Sequence, residues 1–146
     1  MPRWLQVVLA VIAVCFVTLV ILGFVGYRWL NRNRGRLAVQ AREISRQGAE
    51  YGRGKEIGAC LDESARIYQT AGKTFKSQIT TRLWLESCIR ASTVPPEFCA
   101  NVPRKSQAFA SGQWALEECA KRGLPNDQGC SNLLVAAVGA CDLKRE

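Results

Sequence analysis

The sequence predicts an all-α protein, in which an N-terminal single transmembrane helix precedes a small disulfide-stapled domain of four to five helices. Three observations point to this fold class. The 24 residues between Arg3 and Arg28 carry no charge, later apolar residues recur at helical spacing, and six cysteines lie in that later part. No segment alternates polar and apolar residues as a half-buried β-strand does. We expect an anchor over residues 1–30, a juxtamembrane helix and glycine hinge over residues 31–54, and a cysteine-rich helical domain over residues 55–146.

The uncharged segment has the length and composition of a membrane span. Its 19 central residues, positions 7–25, extend roughly 28 Å as a helix, close to the thickness of a bilayer's hydrocarbon core. This apolar run is longer than the core of a cleaved signal peptide and is followed by no small-x-small cleavage site. We therefore expect a retained anchor in the lipid bilayer. The side chains expected at the membrane interface are Trp4, Tyr27, Arg28, Trp29, Arg32, Arg34 and Arg36.

Two features of the chain favour opposite sides of the membrane for the C-terminal domain. Arginines are more numerous after the span than before it, and such flanks favour the cytoplasm. The even number of cysteines beyond the anchor favours disulfides, which persist in oxidising compartments. We give the cysteines more weight, because an N-terminal anchor with only four residues before the span inserts readily in either direction. The domain is expected to be extracytoplasmic, in the periplasm or an equivalent oxidising compartment.

The part beyond the anchor is predicted to be helical throughout. Residues 35–47 are expected to be helical, because Leu37, Ala41, Ile44, Gly48 and Tyr51 follow a 4-3-4-3 spacing. The glycines of 48–54 suggest a hinge. Four further segments have one apolar face each: 55–71, 75–91, 104–122 and 128–141. Glycine and proline between these segments mark the helix ends. Asp127 occupies the N-cap position of the last segment, where its side chain should accept hydrogen bonds from backbone N–H groups.

The cysteines beyond the anchor are expected to pair, which leaves Cys15 in the span as the free thiol. Cys119 and Cys130 flank the proline corner at 123–127 almost symmetrically, so we expect them to be bonded. A weak internal duplication around Cys88 and Cys119 favours Cys88 with Cys99, and then Cys60 with Cys141. The alternative pairs Cys60 with Cys88 across a hairpin centred near Lys73, and Cys99 with Cys141.

Few residue types that carry out chemistry are present. The chain has no histidine and no closely spaced cysteine pair, and it contains no recognisable phosphate, haem or nucleophile motif. We therefore expect no catalytic residues, no metal site and no cofactor. Four of the cations behind the net charge of +8 lie between Arg28 and Arg36, within reach of anionic headgroups or an acidic partner. The other cations of the domain are scattered among acids and do not alternate with aromatics, so a nucleic-acid partner is not expected.

These features favour a membrane-anchored, non-enzymatic accessory or interaction subunit that docks on an envelope membrane protein or complex. One alternative is an extracytoplasmic module that binds a soluble or cell-wall ligand in a pocket, with contact aromatics Tyr68, Trp84 and Trp114. Another is a small carboxylate-based hydrolase with two of Glu86, Glu117 and Glu118 facing one cleft. An exposed apolar patch would support the first, an aromatic pocket the second, and two buried facing carboxylates the third.

Overall fold

The computed structural model describes residues 3–145, which form an all-α fold of seven helices, as the sequence predicts. Their bounds are α1 Arg3–Gly52, α2 Ile57–Thr70, α3 Phe75–Ala91, α4 Pro96–Ala100, α5 Ala108–Lys121, α6 Gln128–Leu134 and α7 Ala136–Arg145. The predicted last helix is divided at Val135 into α6 and α7, and the short α4 adds one more element. Within this range the β pairing is limited to an isolated bridge between Glu56 and Thr93.

The described chain divides into two compact units, with the boundary between Val39 and Gln40. In the first unit, α1 contains a stretch from Val11 to Trp29 whose mean hydropathy is 2.2 and of which no part is buried. This stretch is long and apolar enough to cross a membrane, and an N-terminal signal sequence has the same character. Cys15 is exposed on this segment with its thiol unpaired, as predicted.

The second unit is built around the hairpin of α2 and α3, against which α6 and α7 pack. Gly72 and Lys73 take positive φ angles of 81° and 55° in the turn between the two helices. Thr74 then begins α3 as its N-cap, because its hydroxyl oxygen accepts a hydrogen bond from the Ser77 N–H. The largest side chains enclosed between these helices are Ile57, Leu61, Leu85, Leu133, Leu134 and Val138.

Three disulfides connect the helices of this unit: Cys60–Cys88, Cys99–Cys141 and Cys119–Cys130. The predicted corner pair Cys119–Cys130 is confirmed. The favoured pairing of Cys88 with Cys99 and Cys60 with Cys141 is wrong, and the alternative is correct. The physical reason is the antiparallel hairpin, in which Cys60 and Cys88 lie at similar distances from the turn and so face each other. Three disulfides indicate a domain that folds in an oxidising compartment.

The expected break at Gly48 is wrong, because α1 continues to Gly52. Both glycines are buried where α1 touches α3. A Cβ atom would lie 2.2 Å from the Trp84 carbonyl oxygen at Gly48, and 2.3 Å from the Cys88 carbonyl oxygen at Gly52. The two glycines therefore permit a close approach of two helix backbones. The chain changes direction just after them, at Gly54, which has a φ of 71°.

Candidate functional site

An open groove of about 770 Å³ lies between α3 and the helices α5, α6 and α7. Its apolar surface consists of small side chains and of a few aliphatic ones that belong to the edge of the core. The residues of this surface are Ile89 from α3, Ala108 and Gly112 from α5, and Val135, Ala136, Val138, Gly139 and Ala140 from the last part of the chain. Small residues recur three or four positions apart on α5 and α7, which leaves both walls low.

Two of these wall residues are glycines in the middle of helices, at Gly112 and Gly139. A Cβ atom added at either position would meet no atom of the domain within 4 Å. Gly48, Gly52 and Gly129 differ, because a Cβ atom there would lie 2.1–2.3 Å from another part of the protein. Glycine in a helix interior costs roughly 1 kcal/mol relative to alanine. For Gly112 and Gly139, no packing within the domain offsets this cost.

The polar rim of the groove is mostly held by internal contacts. Arg82 donates from Nε to Glu86 Oε1 at 3.0 Å and from Nη1 to the Asn132 carbonyl oxygen at 3.5 Å. Asp142 Oδ2 accepts from the Lys105 backbone N–H at 2.7 Å. Glu86 is therefore an ion-pair partner. Arg90 also lines the groove, and no described carboxylate lies within ion-pair distance of it.

Exposed apolar side chains lie at and near the groove. Leu143, on α7, lines it and is 77% exposed. Phe109, which follows the wall residue Ala108 on α5, is 80% exposed. On α3, Phe75 and Ile79 are also exposed, and they precede Arg82 on the same side of the helix by helical spacing. Large apolar side chains left in solvent next to a concave surface are typical of a protein contact surface.

The three aromatics named for the ligand-binding alternative belong to the core or to its edge. Trp84 is buried against the Tyr51 ring, with the centroids 5.3 Å apart. Tyr68 is 2% exposed, and its hydroxyl donates to Asp127 Oδ1 at 3.3 Å. Trp114 is half-buried edge-on to Phe98, with the centroids 6.3 Å apart. None of the three predicted aromatics lines the groove.

The candidate carboxylates lie in separate environments. Glu86 is at the groove, whereas Glu118 accepts from Lys121 Nζ at 2.6 Å and from Arg122 Nη1 at 2.7 Å. Arg122 Nε also lies 2.8 Å from Asp62 Oδ1, so this arginine connects α5 to α2. Partial burial acts to raise the pKa of Glu118, but the hydrogen bonds from Lys121 and Arg122 outweigh it and lower that pKa. Glu117 is exposed on the same helix.

Asp127 caps α6 as predicted, and it also joins two turns of the domain. Its Oδ1 accepts from the Cys130 N–H at 3.0 Å, and its Oδ2 accepts from Lys73 Nζ at 3.0 Å. Partial burial acts to raise the pKa of Asp127, but the hydrogen bonds from the Cys130 N–H and from Lys73 dominate and lower it. The same carboxylate therefore stabilises the α5–α6 corner and holds it against the α2–α3 turn.

The residues predicted for the membrane interface lie at the two ends of the apolar part of α1. Trp4, Tyr27 and Trp29 are exposed on the helix surface. The arginines at positions 28, 32, 34 and 36 follow and are exposed as well. Exposed aromatic and basic side chains at the ends of an apolar helix match the arrangement found at membrane interfaces.

The groove residues were not identified from the sequence as a site. The available signal was the recurrence of small residues along α5 and α7, but small residues also recur where helices pack inside a domain. Among the described residues, no group of three histidine, cysteine or acidic side chains lies close enough together to hold a metal ion. Comparisons with protein-family models, with curated proteins and with solved structures found no match to this chain.

Proposed function

We propose that this protein is a membrane-anchored, non-enzymatic accessory subunit whose helical domain docks on an envelope membrane protein or complex. The observation that carries the proposal is the groove with its two helix-interior glycines. The glycines Gly48 and Gly52 are explained by the backbone of α3 that lies against them. Gly112 and Gly139 provide the same low surface on two walls of one groove, and there the approaching backbone would belong to the partner.

The exposed side chains at the groove support a protein as the occupant. Leu143 and Phe109 offer apolar contact area of the kind that becomes buried in interfaces, and the groove lining also contains an arginine, Arg90. The groove is open and has no aromatic lining among the described residues, whereas a site for a soluble or cell-wall ligand would need convergent aromatic and polar groups. Docking of a partner helix or extended segment fits this surface better.

The anchor supports a location at a membrane. Retention of α1 as a span would hold the domain next to other membrane proteins, and so raise the effective concentration of partner and domain. The three disulfides support an extracytoplasmic position of the domain. A C-terminal alkaline phosphatase fusion, which is active only when exported, tests this topology. An inactive fusion would contradict it.

Docking in the groove is tested with a photo-crosslinking amino acid in the full-length, membrane-bound protein. Benzoylphenylalanine at Phe109 or Leu143 should give a discrete crosslinked product, because both side chains are exposed, Leu143 lines the groove and Phe109 follows the lining residue Ala108. The control position is Ala120, which is exposed on α5 and does not line the groove. Equal crosslinking from Ala120 would contradict a specific contact surface.

A second pair of variants separates docking from folding. Gly139→Leu places a side chain in the open space of the groove and should abolish the crosslink. Gly58→Leu adds the same side chain on α2 outside the groove, at a position where a Cβ atom also meets nothing within 4 Å. Both variants should form the three disulfides, as shown by non-reduced peptide mapping. A crosslink that persists undiminished in Gly139→Leu would refute docking at this site.

A further inference from the structure

Four arginines lie at the C-terminal end of the apolar part of α1 or just beyond it, without a nearby acid: Arg28, Arg32, Arg34 and Arg36. No acidic residue occurs at positions 1–42, so the first carboxylate along the chain is that of Glu43. The four side chains are exposed, and Arg36 donates a hydrogen bond to the neutral side chain of Asn33. This segment therefore carries four positive charges that no carboxylate of the same segment neutralises.

The position of these arginines along the helix matches the depth of lipid phosphates. The apolar stretch ends at Trp29, and the polar region of a bilayer adds roughly 5–8 Å beyond the hydrocarbon core on each side. At the helical rise, Arg32 lies roughly 4.5 Å beyond Trp29 and Arg36 lies about 10 Å beyond it. Long arginine side chains reach several ångströms along the helix in either direction. Arg28 is level with the boundary itself.

Three of the four arginines share one face of α1. Arg28, Arg32 and Arg36 are spaced four residues apart, so their side chains lie one above another, while Arg34 points to the opposite side. Like charges at this spacing repel and destabilise a helix. Phosphate groups between them would remove this repulsion, and a guanidinium binds phosphate through two parallel hydrogen bonds.

We propose that Arg28, Arg32 and Arg36 form a binding surface for anionic phospholipid headgroups, in the leaflet from which the C-terminal end of the span emerges. The depth of the three side chains favours lipid phosphates over an acidic protein as the ligand. This inference rests on one part of the proposed function, the retention of α1 as a membrane span. It implies that the protein gathers anionic lipid around its anchor.

The test uses the full-length protein in detergent, titrated separately with phosphatidylglycerol and with phosphatidylcholine, and native mass spectrometry to count bound lipids. Phosphatidylglycerol should bind more tightly than phosphatidylcholine. Each change of Arg28, Arg32 or Arg36 to glutamine should weaken phosphatidylglycerol binding about fivefold, the effect expected of one basic residue near an anionic surface. Phosphatidylcholine binding should not change.

The matched control is Arg53→Gln, which removes the same charge from an exposed position in the second compact unit and should alter binding less than twofold. Equal affinity of the wild-type protein for the two lipids would overturn the inference. So would a loss in Arg53→Gln as large as that in Arg32→Gln, because the effect would then reflect net charge alone. Arginine variants that bind lipid normally and lose a crosslinked protein would assign the surface to an acidic protein partner, and would overturn it too.

Alkaline carbonate extraction of membranes separates this inference from the proposed function. Release of the chain by carbonate would show that α1 is not a retained span, and both proposals would fail. A chain that resists extraction and shows no preference for phosphatidylglycerol would refute the lipid surface and leave the accessory-subunit proposal intact.

Discussion

Replacement of Gly52 by alanine should destabilise the helical domain, although the same replacement stabilises most helices. In an exposed helix interior, glycine to alanine gains about 0.8–1.0 kcal/mol from helix propensity alone. At Gly52 the new methyl group would lie 2.3 Å from the Cys88 carbonyl oxygen, and 3.0 Å from the Cys88 carbonyl carbon. Both atoms are backbone, so no side chain can rotate to relieve the clash.

The magnitude follows from how far the two helices must separate. An ordinary carbon–oxygen contact is about 3.3 Å or longer, so α1 and α3 would have to separate by roughly 1 Å. Overpacking of this kind costs typically 1–3 kcal/mol, and the propensity gain offsets part of it. Tyr51, whose ring lies tilted against that of Trp84, would lose contact as well. We expect a net loss of about 1–2 kcal/mol, or roughly 5–10 °C in the melting temperature of a domain this small.

The assay is thermal unfolding of the full-length protein in mild detergent, followed by near-ultraviolet circular dichroism, which reports the packing of Trp84 and Tyr51. The control is Gly112→Ala, a helix-interior glycine whose added methyl group meets nothing within 4 Å. This control should melt at a higher temperature than the wild type, by a few degrees. If Gly52→Ala also melts at or above the wild-type temperature, the helices are not held together by a tight backbone contact and the reasoning is refuted.

Three further predictions concern the disulfides, the α6 cap and the partly buried ion pairs of Glu118. Replacing the Cys99–Cys141 pair by alanines should lower the free energy of unfolding more than replacing Cys119–Cys130, because the closed segments span 42 and 11 residues. If a disulfide acts by restricting the unfolded chain, the two losses are about 4 and about 2.8 kcal/mol. Equal losses in urea unfolding would contradict that account. Asp127→Ala should lower the free energy of unfolding by about 1–2 kcal/mol, because α6 loses its N-cap. Asp127→Asn should retain most of the stability, since asparagine is also a good N-cap. Equal losses of stability in the two variants would argue against the cap. Because Glu118 has a folded pKa below its ordinary value of 4.5, its contribution to stability is complete above that value and is lost as the pH falls through the lowered pKa. Glu118→Gln should therefore weaken the dependence of the melting temperature on pH as the pH falls below 4.5, and an unchanged pH dependence would refute the role of its pairing with Arg122.

Much of the architecture is local in origin and was predictable from the sequence. The apolar stretch of α1 follows from length and composition, and the main helices of the domain follow from apolar residues that recur every three or four positions. The cap at Asp127 and the Cys119–Cys130 disulfide across the same corner are also local, because their partners lie within a few turns of chain. Interactions over such short separations can be predicted without knowledge of how the helices pack.

Tertiary structure decided the features that depend on distant segments. Local propensity predicts a break at Gly48, yet the close approach of α3 keeps α1 helical to Gly52 and outweighs the cost of glycine in a helix. The bonds Cys60–Cys88 and Cys99–Cys141 depended on which helix faces which, and spacing along the chain left both alternatives open. The groove likewise exists only after α3, α5, α6 and α7 assemble, because its walls are small residues that, in the sequence, look like those of ordinary helix packing. Helical periodicity identifies which face of each helix is apolar, but the choice of partner for that face is made by the packing of the whole domain.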